Sequence, residues 1–193
     1  MIVGILLAAG SARRFGSDKL LARLPDDRTV AGASAAAMVQ ALGQVMAVIR
    51  PGQLALGQVL AGAGCRVTRC PAAIDGMGAS LACGVNAVAD ATGWVIALAD
   101  MPAVSAATIA RVGEMLEEDE TAIAAPAYHG ARGHPVGFGR AYGPALAALA
   151  GDCGARSLVQ ANHDRLRVFE TEDPGVLLDV DTPSDLQRVG RAL

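Results

Sequence analysis

The long apolar runs of this chain are continuous rather than alternating. Ile2-Val3-Gly4-Ile5-Leu6-Leu7-Ala8 and Trp94-Val95-Ile96-Ala97-Leu98-Ala99 contain no charged or hydrogen-bonding aliphatic side chain. A strand with one wet face alternates apolar and polar residues, so runs of this kind predict strands covered on both faces. Further strands are predicted at residues 45–50, 65–70, 121–125, 136–139, 166–169 and 176–180. Helices are predicted over 33–42, 53–62, 81–91, 105–118, 142–149, 155–161 and 184–193. Strand–helix alternation with short glycine-rich connections implies an α/β fold of three layers, Rossmann-like, with a mostly parallel sheet. Crossover connections in such a sheet set the strand carboxyl ends, and with them the ligand crevice, along one edge.

The 193 residues suit one domain, 1–193, with a full core. Hydrophobic residues make up 52% of the chain and aromatics only 3%, so Ala, Val and Leu supply the bulk and helices are expected to pack closely on the sheet. A net charge of −3 and the lack of a basic stripe with interleaved aromatics argue against a nucleic-acid partner. The most membrane-like stretch, residues 81–99, is broken by Asn86, Asp90 and Thr92, and no basic segment precedes the short run 2–9 as in a secretory signal. A cytoplasmic monomer is therefore expected. Cys65, Cys70, Cys83 and Cys153 form no C-x-x-C pair, so reduced and mostly buried thiols are expected rather than a zinc site.

Lys19 is the only lysine; every other basic side chain is arginine. It closes a small-residue loop, Gly10 to Lys19, that also holds Arg13 and Arg14 and directly follows the first apolar run. A strand, a glycine turn and clustered cations are the ingredients of a phosphate site. Arginine forks hold oxygens in fixed geometry, whereas lysine is a flexible point charge.

Asp100 ends the run 94–99 and precedes Met101-Pro102. A carboxylate at the end of a buried strand is costly unless it pairs or binds a cation. Ser105 already supplies a cap for the next helix, which leaves Asp100 for a metal, with Mg²⁺ favoured over softer ions by an all-oxygen donor set and Mn²⁺ as its substitute. Residues 177–185 repeat the pattern of apolar run followed by carboxylates. Thr182, Pro183 and Asp185 read as a capped helix start, which makes Asp185 structural. Asp181 is assigned to the metal, and Asp179, on the same side of an extended chain, to a supporting pair.

Gly76-Met77-Gly78-Ala79-Ser80 lies between a strand and a helix. Two glycines around one residue let the backbone approach a planar ligand; Ser80 either joins them or caps the helix. In the turn 130–137, His134 is extended because Pro135 follows, and it either contacts substrate or bonds the loop. Asp152 reads as a helix cap, and Arg156 as a second phosphate ligand.

Taken in order, these segments resemble the molybdenum-cofactor nucleotidyltransferases, within the wider Rossmann-like nucleotidyltransferase superfamily. The resemblance runs through Leu7-Ala8-Ala9-Gly10-x-x-x-Arg14-Phe15-Gly16-x-x-Lys19, Gly76-Met77-Gly78-x-Ser80-Leu81, Leu98-Ala99-Asp100-Met101-Pro102, Arg132-Gly133-His134-Pro135-Val136, Gly151-Asp152-x-Gly154-Ala155-Arg156 and Asp179-Val180-Asp181-Thr182-Pro183. The double alanine before Gly10 and the Gly-Met-Gly loop are closer to the cytidylyl branch than to the guanylyl branch. Ala12 and Cys153 depart from the pattern, standing where hydroxyl or polar residues are common. The resemblance implies transfer of CMP from CTP to the terminal phosphate of molybdopterin, with pyrophosphate released. It implies that Lys19, Arg14 and Asp100 are catalytic, and that Leu7, Ala8, Ala9, Gly10, Ser11, Arg14, Lys19, Gly76, Met77, Gly78 and Ser80 bind nucleotide. His134 and Arg156 would bind the acceptor, Asp100 and Asp181 a Mg²⁺ ion, and a client molybdoenzyme would be a further partner. Three alternatives stay open: another phosphorylated acceptor or GTP, a nicotinamide oxidoreductase (disfavoured because Leu81 replaces the third fingerprint glycine), and a non-catalytic cofactor chaperone.

Overall fold

The computed structural model describes residues 1–10 and 18–191. Among them, eight strands join one sheet: β1 (Ile2–Leu7), β2 (Val45–Ile49), β3 (Arg66–Arg69), β4 (Gly93–Leu98), β5 (Ile123–Tyr128), β6 (Ala131–Arg132), β7 (Val136–Gly139) and β8 (Leu166–Glu170). Their order is β3-β2-β1-β4-β7-β5-β6, with β8 on β5. β1, β2, β3 and β4 run parallel to one another, as do β5 and β8, while β7 is antiparallel to both β4 and β5. The helices are α1 (Val30–Leu42), α2 (Leu54–Gly62), α3 (Met77–Asn86), α4 (Ala106–Glu118), α5 (Gly143–Ala147), α6 (Arg156–Ala161) and α7 (Pro183–Gly190).

The solid apolar runs are explained by two separate cores. Leu6 faces a cluster with Met38, Ile109 and Val112, whereas Ile5 faces another with Leu81, Val85, Trp94 and Phe138. Both faces of β1 are dry, and burial of each such side chain contributes about 1.5–3 kcal/mol. Small residues permit close approach: a Cβ on Gly84 would sit 2.8 Å from Val48 and 2.9 Å from Ile5, so α3 lies directly on the sheet. Of two caps, on α1 and α4, the sequence signalled Ser105 but not Thr29, whose helix starts at Val30 rather than at residue 33. Thr29 accepts from Gly32 N–H (3.1 Å) and Ser105 from Thr108 N–H (3.2 Å), fixing the starts of α1 and α4.

Three further expectations are corrected. Residues 176–180 are not a strand. Pro174–Leu177 form a 3-10 turn in which Gly175 presses on the Ala103 backbone, leaving no space for a Cβ (2.1 Å), and only Val176 and Val180 are fully buried. Helix α3 begins at Met77, not at residue 81, so the glycine pair lies at the helix start rather than in an open loop. The predicted turn 130–137 contains β6, which closes a short hairpin with β5 over His129 (φ 49°) and Gly130 (φ 77°), the left-handed pair that matches strand twist. Of the thiols, Cys65 and Cys70 are buried, Cys83 is half-buried and Cys153 exposed. Burial pushes the Cys65 thiol up to about 11.

Candidate active site

The ends of β1, β2 and β4 open into a cleft of about 470 Å³. Leu7, Ala9 and Gly10 reach it from β1, Arg50 from β2, and Leu98 and Asp100 from β4. Ala8 lies beneath, buried, its N–H donating to Val48 C=O at 3.0 Å. The opposite wall includes Ile74, Gly76, Met77, Ser80 and Asp152. Ser11 and Arg14 lie outside the described residues.

At the β4 end of the cleft three charges meet. Lys19 opens a 3-10 turn (Lys19–Leu21) whose N-cap, Asp18, accepts from Leu20 N–H at 3.2 Å, and this aims the ammonium at the sheet edge. Lys19 Nζ donates to Asp100 Oδ2 and to Asp181 Oδ1, each at 2.8 Å. Asp181 arrives because Val180 N–H donates to the Asp100 carbonyl at 2.8 Å, tying the two post-strand segments together. Asp185 then accepts from the N–H groups of Asp181 (3.1 Å) and Thr182 (2.8 Å), which holds the turn at the start of α7 as the capping signal foretold. Burial works against the Lys19 charge, but the hydrogen bonds to Asp100 and Asp181 outweigh it and hold the ammonium above its ordinary value. Oδ1 of Asp100 is buried and has no partner among the described residues. An orphaned anionic oxygen is a costly arrangement without a cation, so this donor set fits a hard divalent ion. Among the described residues no group of three His, Cys, Asp or Glu side chains converges, so protein ligands alone would leave such an ion open to substrate oxygens.

The other predicted residues divide. Met77 lies half-exposed on the cleft wall. Ser80 is inside α3 rather than at its cap, its hydroxyl donating to the Gly76 carbonyl at 3.1 Å. Gly78 does not line the cleft. A Cβ there would lie 2.5 Å from the Cys153 carbonyl and 2.8 Å from that of Ala150, and one on Gly76 would lie 2.2 Å from Asp152 Oδ1. These glycines are small so that α3 can pack on residues 150–153, where Gly78 N–H donates to the Gly151 carbonyl at 2.8 Å. Asp152 consequently borders the cleft instead of capping α6, whose N-cap is Ala155. His134 stands behind Asp100, lining a cavity of about 10 Å³ with Ser34 and Met38; its backbone N–H, not its ring, bonds the Val176 carbonyl at 3.0 Å. Burial, with Arg132 adding, holds its imidazole below the ordinary value against the pull of Asp100 and Asp179. Arg156 is exposed at the start of α6, away from the cleft lining. Sequence reasoning missed Arg50. Its signal was a cation at the carboxyl end of a buried parallel strand, the same signal that singled out Asp100.

A parallel α/β sheet with a cleft over its strand ends, and a lysine bracketed by two aspartates there, defines a nucleotide-handling protein of the Rossmann-like nucleotidyltransferase class. The chain belongs to the MobA-like NTP transferase domain family, whose pattern matches residues 4–166. The purine catabolism protein PucB of Bacillus subtilis is 30% identical, covering all of this chain and 97% of PucB. The structure of Rv0371c from Mycobacterium tuberculosis is 32% identical with a TM-score of 0.80, over 98% of this chain and 97% of that one. A manganese complex of Rv0371c, 31% identical, matches with a TM-score of 0.78 over 100% and 99%. A nucleotidyl transferase from Methanothermobacter thermautotroptrophicus, 26% identical, matches with a TM-score of 0.84 over 99% and 96%. Among the described residues no helix is long and apolar enough to cross a membrane.

Proposed function

We propose that this nucleotidyltransferase moves CMP from CTP to the terminal phosphate of molybdopterin. An acceptor phosphate oxygen bonds to the α-phosphorus, the bond from that phosphorus to the bridging oxygen of the β-phosphate breaks, and pyrophosphate leaves. An ionised phosphate is already nucleophilic, so no general base is needed; positioning and charge neutralisation carry the rate. The observation that carries the reading is the Lys19–Asp100–Asp181 cluster at one end of a nucleotide-sized cleft. Lys19, on a flexible stem, passes its ammonium from the carboxylates to the phosphates as the nucleotide arrives. Gly10 and Ser11 offer backbone donors, and Arg14 a guanidinium, to the triphosphate. Asp100 and Asp181 would hold Mg²⁺ or Mn²⁺, which supplies neutralisation of charge on the phosphoryl oxygens when bound. The manganese complex of Rv0371c supports a divalent ion here. His134 and Arg156 serve the acceptor side, Arg156 through the loop it flanks. The same reading makes residues 1–193 one nucleotidyltransferase domain, a cytoplasmic monomer that supplies a client molybdoenzyme.

The test is pyrophosphate release from a panel of nucleotides with purified molybdopterin, with and without excess chelator. CTP should give the highest specificity constant, and chelator should abolish release. Equal constants for CTP and GTP reject the cytidylyl assignment. Release unaffected by chelator rejects the metal, and no release with any nucleotide favours the chaperone.

A further inference from the structure

The cleft is polarised. In the sheet order β3-β2-β1-β4, the Lys19–Asp100 pair lies at the β4 side of β1, and Arg50, at the end of β2, lies on the other side. One guanidinium N–H of Arg50 (Nη2) donates to the Gly10 carbonyl at 3.2 Å, and its backbone N–H donates to Gln53 Oε1 at 2.7 Å. Arg50 Nε is buried and has no partner among the described residues. The same cleft is lined by Ile74 and Met77, 85% and 50% exposed, which are large apolar side chains left open to solvent. A fork with an unused donor, tethered beside an apolar rim, suits a flat ligand with acceptors on its edge. It suits a triphosphate poorly, because apolar walls do not solvate its charge.

We infer that Arg50 is a nucleobase-binding residue, its guanidinium donating to the acceptor edge of the base, O2 and N3 in cytosine, while Ile74 and Met77 cover the ring face. The inference rests on the nucleotidyl-transfer reading above and adds to it the residue that reads the base. In uracil N3 carries a proton and repels a donor, so Arg50 favours CTP over UTP. The Gly10 bond fixes the fork in place before the base arrives, so little side-chain freedom is lost on binding.

Calorimetric titration of the full chain with CTP, UTP and inorganic tripolyphosphate, all with Mg²⁺, tests this in wild type, Arg50→Ala and Arg50→Lys. The lysine variant keeps the charge and guards against a folding failure. Both variants should weaken CTP on the order of 10- to 100-fold, the worth of a bidentate arginine–base pair. Both should bring CTP and UTP to similar affinity and leave tripolyphosphate unchanged. A loss of tripolyphosphate binding equal to that of CTP, or no loss of CTP, overturns the inference. Should the pyrophosphate assay select GTP, the cytidylyl reading falls and Arg50 is judged on GTP: a loss confined to GTP upholds base binding, and one shared with tripolyphosphate ends it.

Discussion

At the β4 end of the cleft, Lys19 meets carboxylates 81 and 162 residues away in sequence, whereas at the β3 end the wall is backbone packed on backbone. The first region is held by charge, partly shielded from water: the Lys19 and Asp100 side chains are 14% and 23% exposed. The second is held by volume, with Gly76 and Gly78 against residues 150–153. The difference teaches that polar residues isolated in sequence can be strongly coupled in space, and that glycines resembling a ligand loop can be spacers for a helix. Damage at the charged end should appear in rate, and damage at the packed end in stability.

The largest effect should come from Lys19→Ala. Loss of a transition-state interaction of this kind costs on the order of 10² to 10³ in turnover. The variant takes from Asp100 Oδ2 the ammonium that it accepts from and leaves Oδ1 without a partner among the described residues, so added Mg²⁺ or Mn²⁺ should raise the melting temperature more in the variant than in wild type. Near-normal turnover at saturating nucleotide would remove Lys19 from the mechanism, and an equal metal response would take the ion away from Asp100.

Gly78→Val should reverse the expectation for a ligand loop, in which activity suffers more than stability. Its side chain would meet the carbonyls of Cys153 and Ala150 at 2.5 and 2.8 Å, which are backbone atoms that cannot swing aside. Overpacking of this order costs about 1–3 kcal/mol, or roughly 2–4 °C of melting temperature per kcal/mol in a chain of this size. Gly10→Ala is the contrast, since no described residue lies within 4 Å of a Cβ there. If calorimetry finds the two variants equally stable, the packing account of the β3 end is wrong.

His134 sharpens the comparison through pH. Burial lowers its folded pKa below the unfolded value of about 6.5. As pH falls below that value the unfolded chain gains a proton that the native ring refuses, so stability declines between the unfolded and the lower folded pKa. His134→Gln should flatten the fall in melting temperature between pH 7.5 and pH 5, relative to wild type (about one proton's linkage). Parallel curves would show that His134 does not titrate on unfolding.

Asp185→Ala should have the smallest effect. It removes an acceptor for Asp181 N–H and for the N–H and hydroxyl of Thr182. Loss of a cap of this kind typically costs about 1 kcal/mol. Melting should drop by a few degrees at most, with a modest loss of turnover as Asp181 loosens; a rate loss matching that of Lys19→Ala would make Asp185 part of the charged end.

Much of the fold was legible because its signals are local. Unbroken apolar runs mark strands with two dry faces, and Ser105, Thr182 and Asp185 announced helix starts through bonds to groups at most four residues away. Residues 176–180 misled because Val176 and Val180 are buried as in a strand, while Pro174 and Gly175 turn the chain against Ala103. Nothing near Gly78 in the chain hints that residues 150–153 will press on it.

By itself, then, the chain's chemistry determined most of the strands and helices, that the carboxyl ends of the parallel strands gather at one edge, and that Asp100 follows a strand at that edge. Only the tertiary structure decided that Asp181 shares one ammonium with Asp100, that Arg50 enters the cleft and that His134 stays behind it. Propensity, capping and burial act over a few residues, whereas these juxtapositions follow from strand order and from single backbone bonds such as Val180 N–H to the Asp100 carbonyl.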